Sequence, residues 1–504
     1  MAALSKDLEF LNPARLKGIL RGVEKESLRV NPDGRLALTP HPAALGAALT
    51  HPHITTDFSE SQLELITGTH GGAGALIEEL TRIHQFVYRH IPGEILWCAS
   101  MPCGLPADDA IPLGRYGKSN LGRAKTVYRM GLSHRYGRRM QAISGIHYNF
   151  SLPGVTSEQY FALIRNFRRR SWLLLYLFGA SPAVCPSFVE GRKHDLQELV
   201  PGTLYAPHGT SLRMGRLGYQ SDAQASIAVS YNSLENYTAS LYDALTQPYP
   251  PYEEIGLFKN NQYSQLATSL LQIENEFYGT IRPKRRIRRG ERPLHALRER
   301  GVEYVEVRLM DLDPFEPVGI GAPTARFLDA FLLQCLLDES PPDTAEEIAA
   351  VRRNVQLVAT RGREPGLMLE EGSKKIKLSD WGKTLLSPCQ PVAAALDRAL
   401  GGAAHEEALA SALRAVENPQ AVPSARVLEA MAREHANSFT RFALAESLRH
   451  AERLRSLALP AENEMRLVHL AAESLAEQMR IEAGDKVDFE TFRQKYLSPD
   501  LLKV

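Results

Sequence analysis

Five short segments between residues 23 and 310 alternate apolar and polar side chains with a period of two, as a β-strand with one buried face does. In Tyr304–Met310 the glutamate and the arginine share one face, and valine and leucine form the other. In Val23–Val30 the same periodicity puts Glu24 and Glu26 on one face, about 7 Å apart along a regular strand. Because an antiparallel sheet can bury one face and expose the other, the sequence predicts a sheet with one charged face.

The remaining alternating segments are Thr56–Thr67, Ile143–Leu152 and Leu271–Lys284. In the second of them His147 and Asn149 lie on the polar face. If the third is a regular strand, Glu274, Glu276, Arg282 and Lys284 follow one another in a single row. These rows contain few lysines, whereas a solvent-exposed outer face of a sheet would carry more of them. We therefore expect the charged face to line a concave substrate site.

The polar rows supply oxygen donors and one imidazole from distant parts of the chain: Glu24, Glu26, Asp57, Glu64, His147 and Glu306. Hard oxygen donors of this kind suit Mg²⁺ or Mn²⁺ better than metals that prefer thiolates. A site for such an ion in turn indicates a substrate that carries phosphate.

The composition is that of an ordinary globular protein of 504 residues with a net charge of +1. The first residues show no basic segment followed by an apolar core, and the most apolar run, Trp172–Phe178, is too short to span a membrane. The sequence thus predicts a cytoplasmic protein without membrane contact. The cysteines include no Cys-x-x-Cys pair, which argues against a disulfide framework or a structural zinc and predicts mostly buried thiols. They are Cys98, Cys103, Cys185, Cys335 and Cys389.

Two regions differ in character along the chain. Before about residue 320, strand-like segments mix with predicted helices at Ala73–Tyr88 and Ser157–Phe178. After about residue 340, the chain becomes rich in alanine and leucine at helical spacing. We therefore predict a catalytic region over residues 1–340 and a mainly helical region over 341–504 that packs on it.

Known nucleotide-binding motifs are missing from the sequence. Gly117-Lys118-Ser119 and Gly382-Lys383-Thr384 resemble the end of a P-loop, but Pro112 and Lys377 replace its first glycine. No Gly-x-Gly-x-x-Gly fingerprint follows a predicted strand either. ATP would therefore be held by metal and by basic side chains on the sheet, within the basic run of residues 282–292. Because the net charge is nearly neutral and no nucleic-acid module is recognisable, the same run does not indicate a DNA- or RNA-binding protein.

Several of these segments, in the same order, resemble the proteobacterial glutamate–cysteine ligases through most of the first 320 residues. The segments are Arg21–Val30, Ile54–Phe58 with Glu64, Met101–Cys103, Tyr116–Asn120, Ser144–Leu152, Phe178–Pro182, Leu271–Glu276 and Glu303–Arg308. The resemblance implies an α+β fold like that of glutamine synthetase, in which helices surround a curved antiparallel sheet that forms a funnel. It also implies an ATP- and Mg²⁺-dependent ligase, expected to be a monomer, that joins glutamate to cysteine in the first step of glutathione synthesis.

The resemblance assigns roles to individual residues. The magnesium positions match Glu24, Glu26, Asp57, Glu64, His147 and Glu306, and the arginine beside the transferred phosphoryl group matches Arg308. Arg213 matches an arginine that holds a substrate carboxylate. The cysteine pocket matches Phe58, Tyr128, Leu132, Gln141, Tyr219 and Tyr278, with Arg129 as a further substrate ligand. Arg282 and Lys284 remain the candidates for the nucleotide.

The sequence leaves other functions open. The same metal-lined sheet could serve a phosphotransferase, another carboxylate–amine ligase, or an inactive homologue that only binds nucleotide. The sequence also departs from a C-terminal disulfide found in some members of the family. Since residues 367–377 contain no cysteine, Cys389 has no evident partner and we expect no redox control of that kind.

Overall fold

A computed structural model of the chain describes residues 10–218, 229–288 and 290–502. Tyr219 lies outside the described residues, so its predicted place in the cysteine pocket stays a prediction. Among the helices of the described ranges, none is both long and apolar enough to cross a lipid bilayer.

The central feature of the fold is a sheet of seven antiparallel strands, as predicted. The strands of the described residues are β1 Leu20–Val30, β2 Ile54–Thr56, β3 Gln62–Ile66, β4 Ile95–Leu96, β5 Ile146–Ser151, β6 Ala183–Val184, β7 Gln197–Val200, β8 Thr203–Tyr205, β9 Phe258–Lys259, β10 Gln262–Tyr263, β11 Ile281–Lys284, β12 Tyr304–Met310, β13 Met368–Glu371 and β14 Lys374–Lys377. The central sheet has the order β11-β12-β5-β1-β3-β2, and β4 pairs with the end of β1. The other strands form two hairpins and a three-stranded sheet.

The register of the central sheet places the predicted polar residues side by side. Glu24 on β1 pairs with His147 on β5, and Glu26 pairs with Glu64 on β3. On the other side of β5, Asn149 pairs with Glu306 on β12. Because side chains at paired positions point to the same face, four neighbouring strands contribute to one charged surface.

The helices of the described residues are α1 Pro13–Lys17, α2 Ala73–His90, α3 Asn120–Tyr136, α4 Arg138–Gln141, α5 Ser157–Phe178, α6 Pro186–Val189, α7 Leu234–Thr246, α8 Pro250–Ile255, α9 Pro293–Arg300, α10 Ala322–Leu337, α11 Ala345–Arg361, α12 Leu378–Leu386, α13 Cys389–Leu400, α14 Ala404–Glu417, α15 Pro423–Glu434, α16 Phe439–Ser456, α17 Ala461–Gly484 and α18 Phe489–Leu497. Short 3₁₀ turns lie at Ala43–Leu45, Asp108–Ala110, Leu212–Met214, Glu274–Glu276 and Pro499–Leu502. Helix α2 packs on β1 and β3, and α5 packs on β11 and β12, so the apolar face of the sheet is covered by helices. Thr156 and Gln159 form a capping box that starts α5 at the predicted residue.

The region after residue 341 is mainly helical, as predicted, apart from the β13–β14 hairpin. Its helices contact different parts of the preceding region: α14 packs on α10, α16 and α17 pack on α2, and α18 packs on α3. The larger of two apolar clusters in the described residues includes side chains from Leu11 to Leu502. The division at residue 340 therefore stays a prediction, since it coincides with no break in the core.

The segment Leu271–Lys284 is not one strand, and that prediction is wrong. Only its last four residues form β11, while Glu274–Glu276 form a 3₁₀ turn. Both glutamates of the turn form ion pairs, Glu274 with Arg292 at 2.6 Å and Glu276 with Arg135 at 2.8 Å. The apparent alternation therefore reflects two buried ion pairs instead of a strand face.

The expectation of unpaired thiols is wrong for two of the five cysteines. Cys103, in the loop after β4, forms a disulfide with Cys185, at the start of α6, with a Cα–Cα distance of 5.4 Å. The other three cysteines are free and buried, as predicted. Because the partners are 82 residues apart and meet only through the tertiary fold, their spacing gave no signal.

Candidate active site

A cavity of about 630 Å³ opens over the charged face of the central sheet. It brings together every predicted site residue that the structure describes: Glu24, Glu26, Asp57, Phe58, Glu64, Tyr128, Arg129, Leu132, Gln141, His147, Arg213, Tyr278, Arg282, Lys284, Glu306 and Arg308. These residues come from strands, helices and loops that are distant in the chain. Their convergence in one hollow is what the metal-site prediction required.

The centre of the cavity is a cluster of carboxylates around one imidazole. The Nδ1 atom of His147 lies 3.1 Å from an oxygen of Glu24, and its Nε2 atom lies 3.8 Å from an oxygen of Glu26. Ligand atoms of Glu24, His147 and Glu306 all lie within 4.8 Å of one another. Asn149 donates a hydrogen bond of 3.0 Å to the second oxygen of Glu24 and so fixes that carboxylate. Three donors at this spacing can share one ion.

Crowding of like charges changes how these carboxyl groups ionise. Burial and the Asp57 carboxylate raise the pKa of Glu26 to about 8. Burial and three neighbouring carboxylates raise the pKa of Glu64 well above its usual range. A divalent cation would remove this repulsion and restore both groups to the charged form. The donor set, oxygen atoms with one imidazole, fits Mg²⁺ or Mn²⁺.

The ionisation of Glu306 differs from that of Glu26 and Glu64, because two cationic side chains lie beside its carboxylate. Its carboxylate is fully buried and lies 2.9 Å from Arg308 Nη1 and 3.0 Å from Lys284 Nζ. Although burial opposes ionisation, these two cations hold the pKa of Glu306 well below its usual range. For His147, burial and the Arg308 guanidinium lower the pKa, so the neutral imidazole can act as a ligand.

Two arginines that were predicted to bind substrate or nucleotide donate hydrogen bonds to backbone carbonyl groups of the protein. Arg282 donates to the backbone carbonyl groups of Asn275 and Phe277. Arg129 donates to the carbonyl groups of Asp57, at the short end of hydrogen-bond distances, and of Lys125, at 3.0 Å. Both side chains line the cavity, but these hydrogen bonds show that each of them also fixes a neighbouring backbone segment. Their assignment as direct ligands stays a prediction.

A second part of the cavity is apolar with hydroxyl and amide tips. Phe58, Tyr128 and Leu132 belong to a small separate apolar cluster that also contains residues of α3 and α18. Beside it, Gln141 donates a hydrogen bond of 2.5 Å to the hydroxyl of Tyr278. An aromatic wall with polar tips suits a small side chain whose two ends need orientation.

Arg213 reaches the cavity from the 3₁₀ turn at Leu212–Met214, with only 2% of its surface exposed. Its Nη2 atom donates a hydrogen bond of 2.9 Å to the backbone carbonyl of Arg308. Ser211, which caps the turn, donates to the buried Asp311 carboxylate at 2.9 Å. The guanidinium also packs against Gly145, where any Cβ atom would overlap it.

We expect Gly145→Ala to lower kcat/KM for glutamate about tenfold or more, because the added methyl group displaces Arg213 and loosens its charged hydrogen bonds. Steady-state kinetics with glutamate as the varied substrate measure this effect. Gly74→Ala is the matched control, since Gly74 lies in the first turn of α2 with open space around its Cβ position. Equal kinetics for the two variants would contradict the role of the Gly145–Arg213 contact.

Sequence reasoning missed several residues of the cavity wall. Lys125 lies on the same face of α3 as Tyr128, Arg129 and Leu132. Their spacing of three, one and three residues was a signal that could have found it. Other lining residues that sequence reasoning missed include Thr55, Thr56, Arg168, Met214, Tyr231, Ala345, Ile348, Ala349, Arg352 and Val355. Most of these follow residue 340 or carry no charge, so the search for polar strand faces passed over them.

The basic run of residues 282–292 does not form an open basic surface in the described residues. Arg286 pairs with Glu303 at 2.8 Å, Arg288 pairs with Glu299 at 3.4 Å, and Arg292 pairs with the buried Glu274. Most of its charge is therefore matched within the chain.

Comparison with known proteins supports the resemblance. A family model described as glutamate-cysteine ligase matches residues 8–358. The chain is 50% identical to the glutamate–cysteine ligase of Pseudomonas entomophila, over 95% of this chain and 94% of that protein. It is also 50% identical to that of Azotobacter vinelandii, over 97% and 96%. The crystal structure of glutamate–cysteine ligase from Francisella tularensis, solved in complex with AMP, superposes with a TM-score of 0.91 at 38% identity and covers 96% of this chain and 98% of that one.

Proposed function

The chain belongs to the glutamate–cysteine ligase family, and we propose that its sheet cavity is where ATP activates the γ-carboxylate of glutamate for ligation to the amine of L-cysteine. The reaction is the first step of glutathione biosynthesis. Transfer of the γ-phosphoryl group to glutamate gives ADP and γ-glutamyl phosphate. The cysteine nitrogen then forms the amide bond as the phosphate leaves, and the amine loses a proton.

The observation that carries the assignment of the site is the convergence of four carboxylates and one imidazole on one face of a single sheet, with the Asp57 carboxylate from the loop after β2 in the same cavity. A triphosphate and a carboxylate repel each other, and the cluster of carboxylates adds negative charge to a cavity that also holds basic residues, so divalent cations are needed to bring the two substrates together. Mg²⁺, or Mn²⁺ in its place, would neutralise the phosphate charge and polarise the transferred group when bound. The residues that would hold it are Glu24, Glu26, Asp57, Glu64, His147 and Glu306.

The cations of the site divide between phosphate and carboxylate. Arg308 and Lys284 lie together on neighbouring strands beside Glu306, so they would bind the transferred phosphoryl group and the polyphosphate. Arg213, which packs against Gly145 and donates to the backbone carbonyl of Arg308, would bind the carboxylate of glutamate. Arg282 and Arg129 would support these groups through the loops that they hold.

Two further parts of the cavity suit the cysteine substrate and the base of ATP. The wall formed by Phe58, Tyr128 and Leu132, with Gln141 and Tyr278, would receive the incoming cysteine; Tyr219 joins this set on the resemblance alone. The apolar side chains of Ile348 and Val355 on α11 also line the cavity and would accept the base of ATP. The AMP that the Francisella tularensis enzyme binds agrees with a nucleotide on this fold.

The test is release of ADP by the purified chain with Mg²⁺. We expect ADP release to require both glutamate and cysteine, because the acyl phosphate leaves the enzyme only after the amine has attacked it. EDTA should abolish the reaction, and added Mg²⁺ should restore it. ADP release with glutamate alone, at the rate seen with both amino acids, would indicate a phosphotransferase instead. No ADP release under any of these conditions would indicate an inactive homologue.

The monomeric state, the cytoplasmic location and the division into residues 1–340 and 341–504 stay predictions. Light scattering coupled to gel filtration tests the first of them. Limited proteolysis tests the third, since a true boundary would release a stable fragment that ends near residue 340.

A further inference from the structure

One face of α3 is turned toward the cavity. Lys125, Tyr128, Arg129 and Leu132 follow one another at helical spacing, and all of them line it. Tyr128 and Leu132 belong to the apolar wall proposed for cysteine. The two cations on the same face therefore lie next to the amino acid that would enter there.

The guanidinium group of Arg129 donates hydrogen bonds to the protein backbone. Its three guanidinium nitrogens donate to the backbone carbonyl groups of Asp57, Lys125 and Thr56, the last at 3.5 Å. These bonds join α3 to the loop that carries Asp57. Since its donors are used in this way, Arg129 acts as a positioning residue for that loop.

Lys125 is different, because its ammonium group has neither a hydrogen bond nor an ion pair with any residue that the structure describes. The group lies 5.1 Å from the centroid of the Tyr116 ring. Burial and the nearby Arg129 lower the pKa of Lys125 to about 8, so the ammonium form still dominates at neutral pH. Glu64 is the carboxylate that opposes this shift, and a bound divalent ion would draw its charge away. The hydrogen-bond donors of the Lys125 ammonium are therefore available to an anionic ligand that enters the cavity.

The position of Lys125, on α3 near Glu64, is far from the cations assigned to the triphosphate. Lys125 lies near Glu64 on β3, whereas Lys284 and Arg308 lie on β11 and β12. In the strand order β11-β12-β5-β1-β3, four strand spacings separate the first of these strands from the last, about 19 Å along the sheet. The phosphate cations and Lys125 therefore serve different ligands.

The dimensions of α3 identify the ligand chemistry. With a rise of 1.5 Å per residue, Lys125 lies about 4.5 Å along the helix from Tyr128 and about 10 Å from Leu132. An amino acid whose side chain rests against Phe58 and Leu132 would thus place its α-carboxylate within one turn of the ammonium. Arg213, beside Gly145 and the backbone of Arg308, is left for glutamate.

We propose that Lys125 binds the α-carboxylate of the incoming amino acid and thereby makes the enzyme select cysteine over amines that lack a carboxylate. This inference rests on the proposed function, because it assumes that the Phe58–Tyr128–Leu132 wall receives the amine substrate. Lys125 is then a specificity-determining residue, while the phosphoryl transfer to glutamate does not involve it.

The test compares cysteine with cysteamine, which has the same thiol and amine but no carboxylate. In the wild-type enzyme kcat/KM should be higher for cysteine. In Lys125→Gln we expect kcat/KM for cysteine to fall about 10- to 100-fold, the range for loss of one hydrogen bond to a charged group, while the value for cysteamine changes less than about threefold. KM for glutamate and for ATP should stay within about twofold of the wild type.

Lys118→Gln is the matched control, since it removes the same charge from an exposed residue just before α3. It should leave the preference for cysteine unchanged. Lys125→Arg should retain most of the preference, because it keeps the cation. If Lys125→Gln folds by its melting curve but does not turn over, calorimetric titration of cysteine in the presence of glutamate and β,γ-imido-ATP should show the same loss of affinity.

Two results would overturn the inference. One is a preference for cysteine over cysteamine in Lys125→Gln that equals that of the wild type. The other is a rise in KM for glutamate in place of cysteine, which would assign Lys125 to the first substrate. Failure of the proposed function is distinct from both, because the wild-type enzyme would then show no ADP release that depends on glutamate and cysteine.

Discussion

Glu306→Gln is expected to reduce kcat by about a thousandfold or more while the protein stays folded. The carboxylate is fully buried at the centre of the cavity, within ligand distance of the groups of Glu24 and His147. Glutamine keeps the shape of the side chain but removes the charge that would hold the metal ion and balance Lys284 and Arg308. Loss of a charge-stabilising group at a metal and phosphoryl site costs several kcal/mol of the activation free energy. Single-turnover and steady-state ADP release over a range of Mg²⁺ concentrations measure the effect.

The matched control for this variant is Glu303→Gln. Glu303 lies just before the same strand, but it pairs with Arg286 outside the cavity, so its kcat should stay within about twofold of the wild type. We also expect a lower melting temperature for Glu306→Gln, because Lys284 and Arg308 lose the buried carboxylate whose pKa they hold below its usual range. The kinetics are therefore compared at a temperature at which both proteins are folded. A kcat of Glu306→Gln within tenfold of the wild type would contradict the assigned metal site.

The charged sheet could be predicted because strand geometry leaves a direct trace in the sequence. Tyr304–Met310 forms β12 with the predicted bounds, and β1 and β5 contain the polar positions predicted for Val23–Val30 and Ile143–Leu152. A period of two fixes which side chains share a face, whatever the neighbouring strands are. Which strands are neighbours is not encoded locally. The order in which Glu64, Glu24, His147 and Glu306 lie side by side is therefore seen only in the structure.

The errors of the sequence reasoning have a common physical cause, which is pairing over long distances. Glu274 and Glu276 imitate a strand row, but their partners Arg292 and Arg135 lie on helices elsewhere in the chain. Cys103 and Cys185 are likewise paired by the fold and not by their spacing. A local pattern cannot show that a polar group has a remote partner, so it cannot separate a solvated face from a buried ion pair.

The same limit applies to the basic residues of the cavity. From the sequence, Arg129 was the candidate ligand on α3, while Lys125 carried no signal apart from its helical spacing. The structure shows that Arg129 is bonded to backbone carbonyl groups and that the ammonium of Lys125 faces the cavity. Whether a cation serves the protein or a ligand depends on which acceptors surround it, and those belong to segments more than 60 residues away, such as the loop at Asp57.

Arg308→Lys is expected to lower kcat about 100- to 1,000-fold with a much smaller change in KM for glutamate. The guanidinium lies 2.9 Å from Glu306 and 3.5 Å from Nδ1 of His147, so one edge of its planar fork is fixed by the metal site. The free edge can then bind two oxygens of the phosphoryl group as its charge develops. A lysine ammonium is shorter and has no planar pair of donors, so it can keep the ion pair with Glu306 or reach the phosphoryl group, but not both. The loss should therefore appear in the transition state more than in substrate binding.

Rapid-quench measurement of the first turnover separates phosphoryl transfer from the later steps and shows whether the transfer itself is slowed. Arg286→Lys provides the control, because Arg286 is exposed and pairs with Glu303 outside the cavity. It should leave kcat unchanged within about twofold. If Arg308→Lys retained the wild-type burst of ADP formation and lost only affinity for glutamate, Arg308 would be a carboxylate ligand, and the division of roles between Arg308 and Arg213 would have to be reversed. A loss confined to the burst rate would instead assign the planar guanidinium of Arg308 to the transferred phosphoryl group. There it stabilises the charge that develops in the transition state and contributes little to substrate binding.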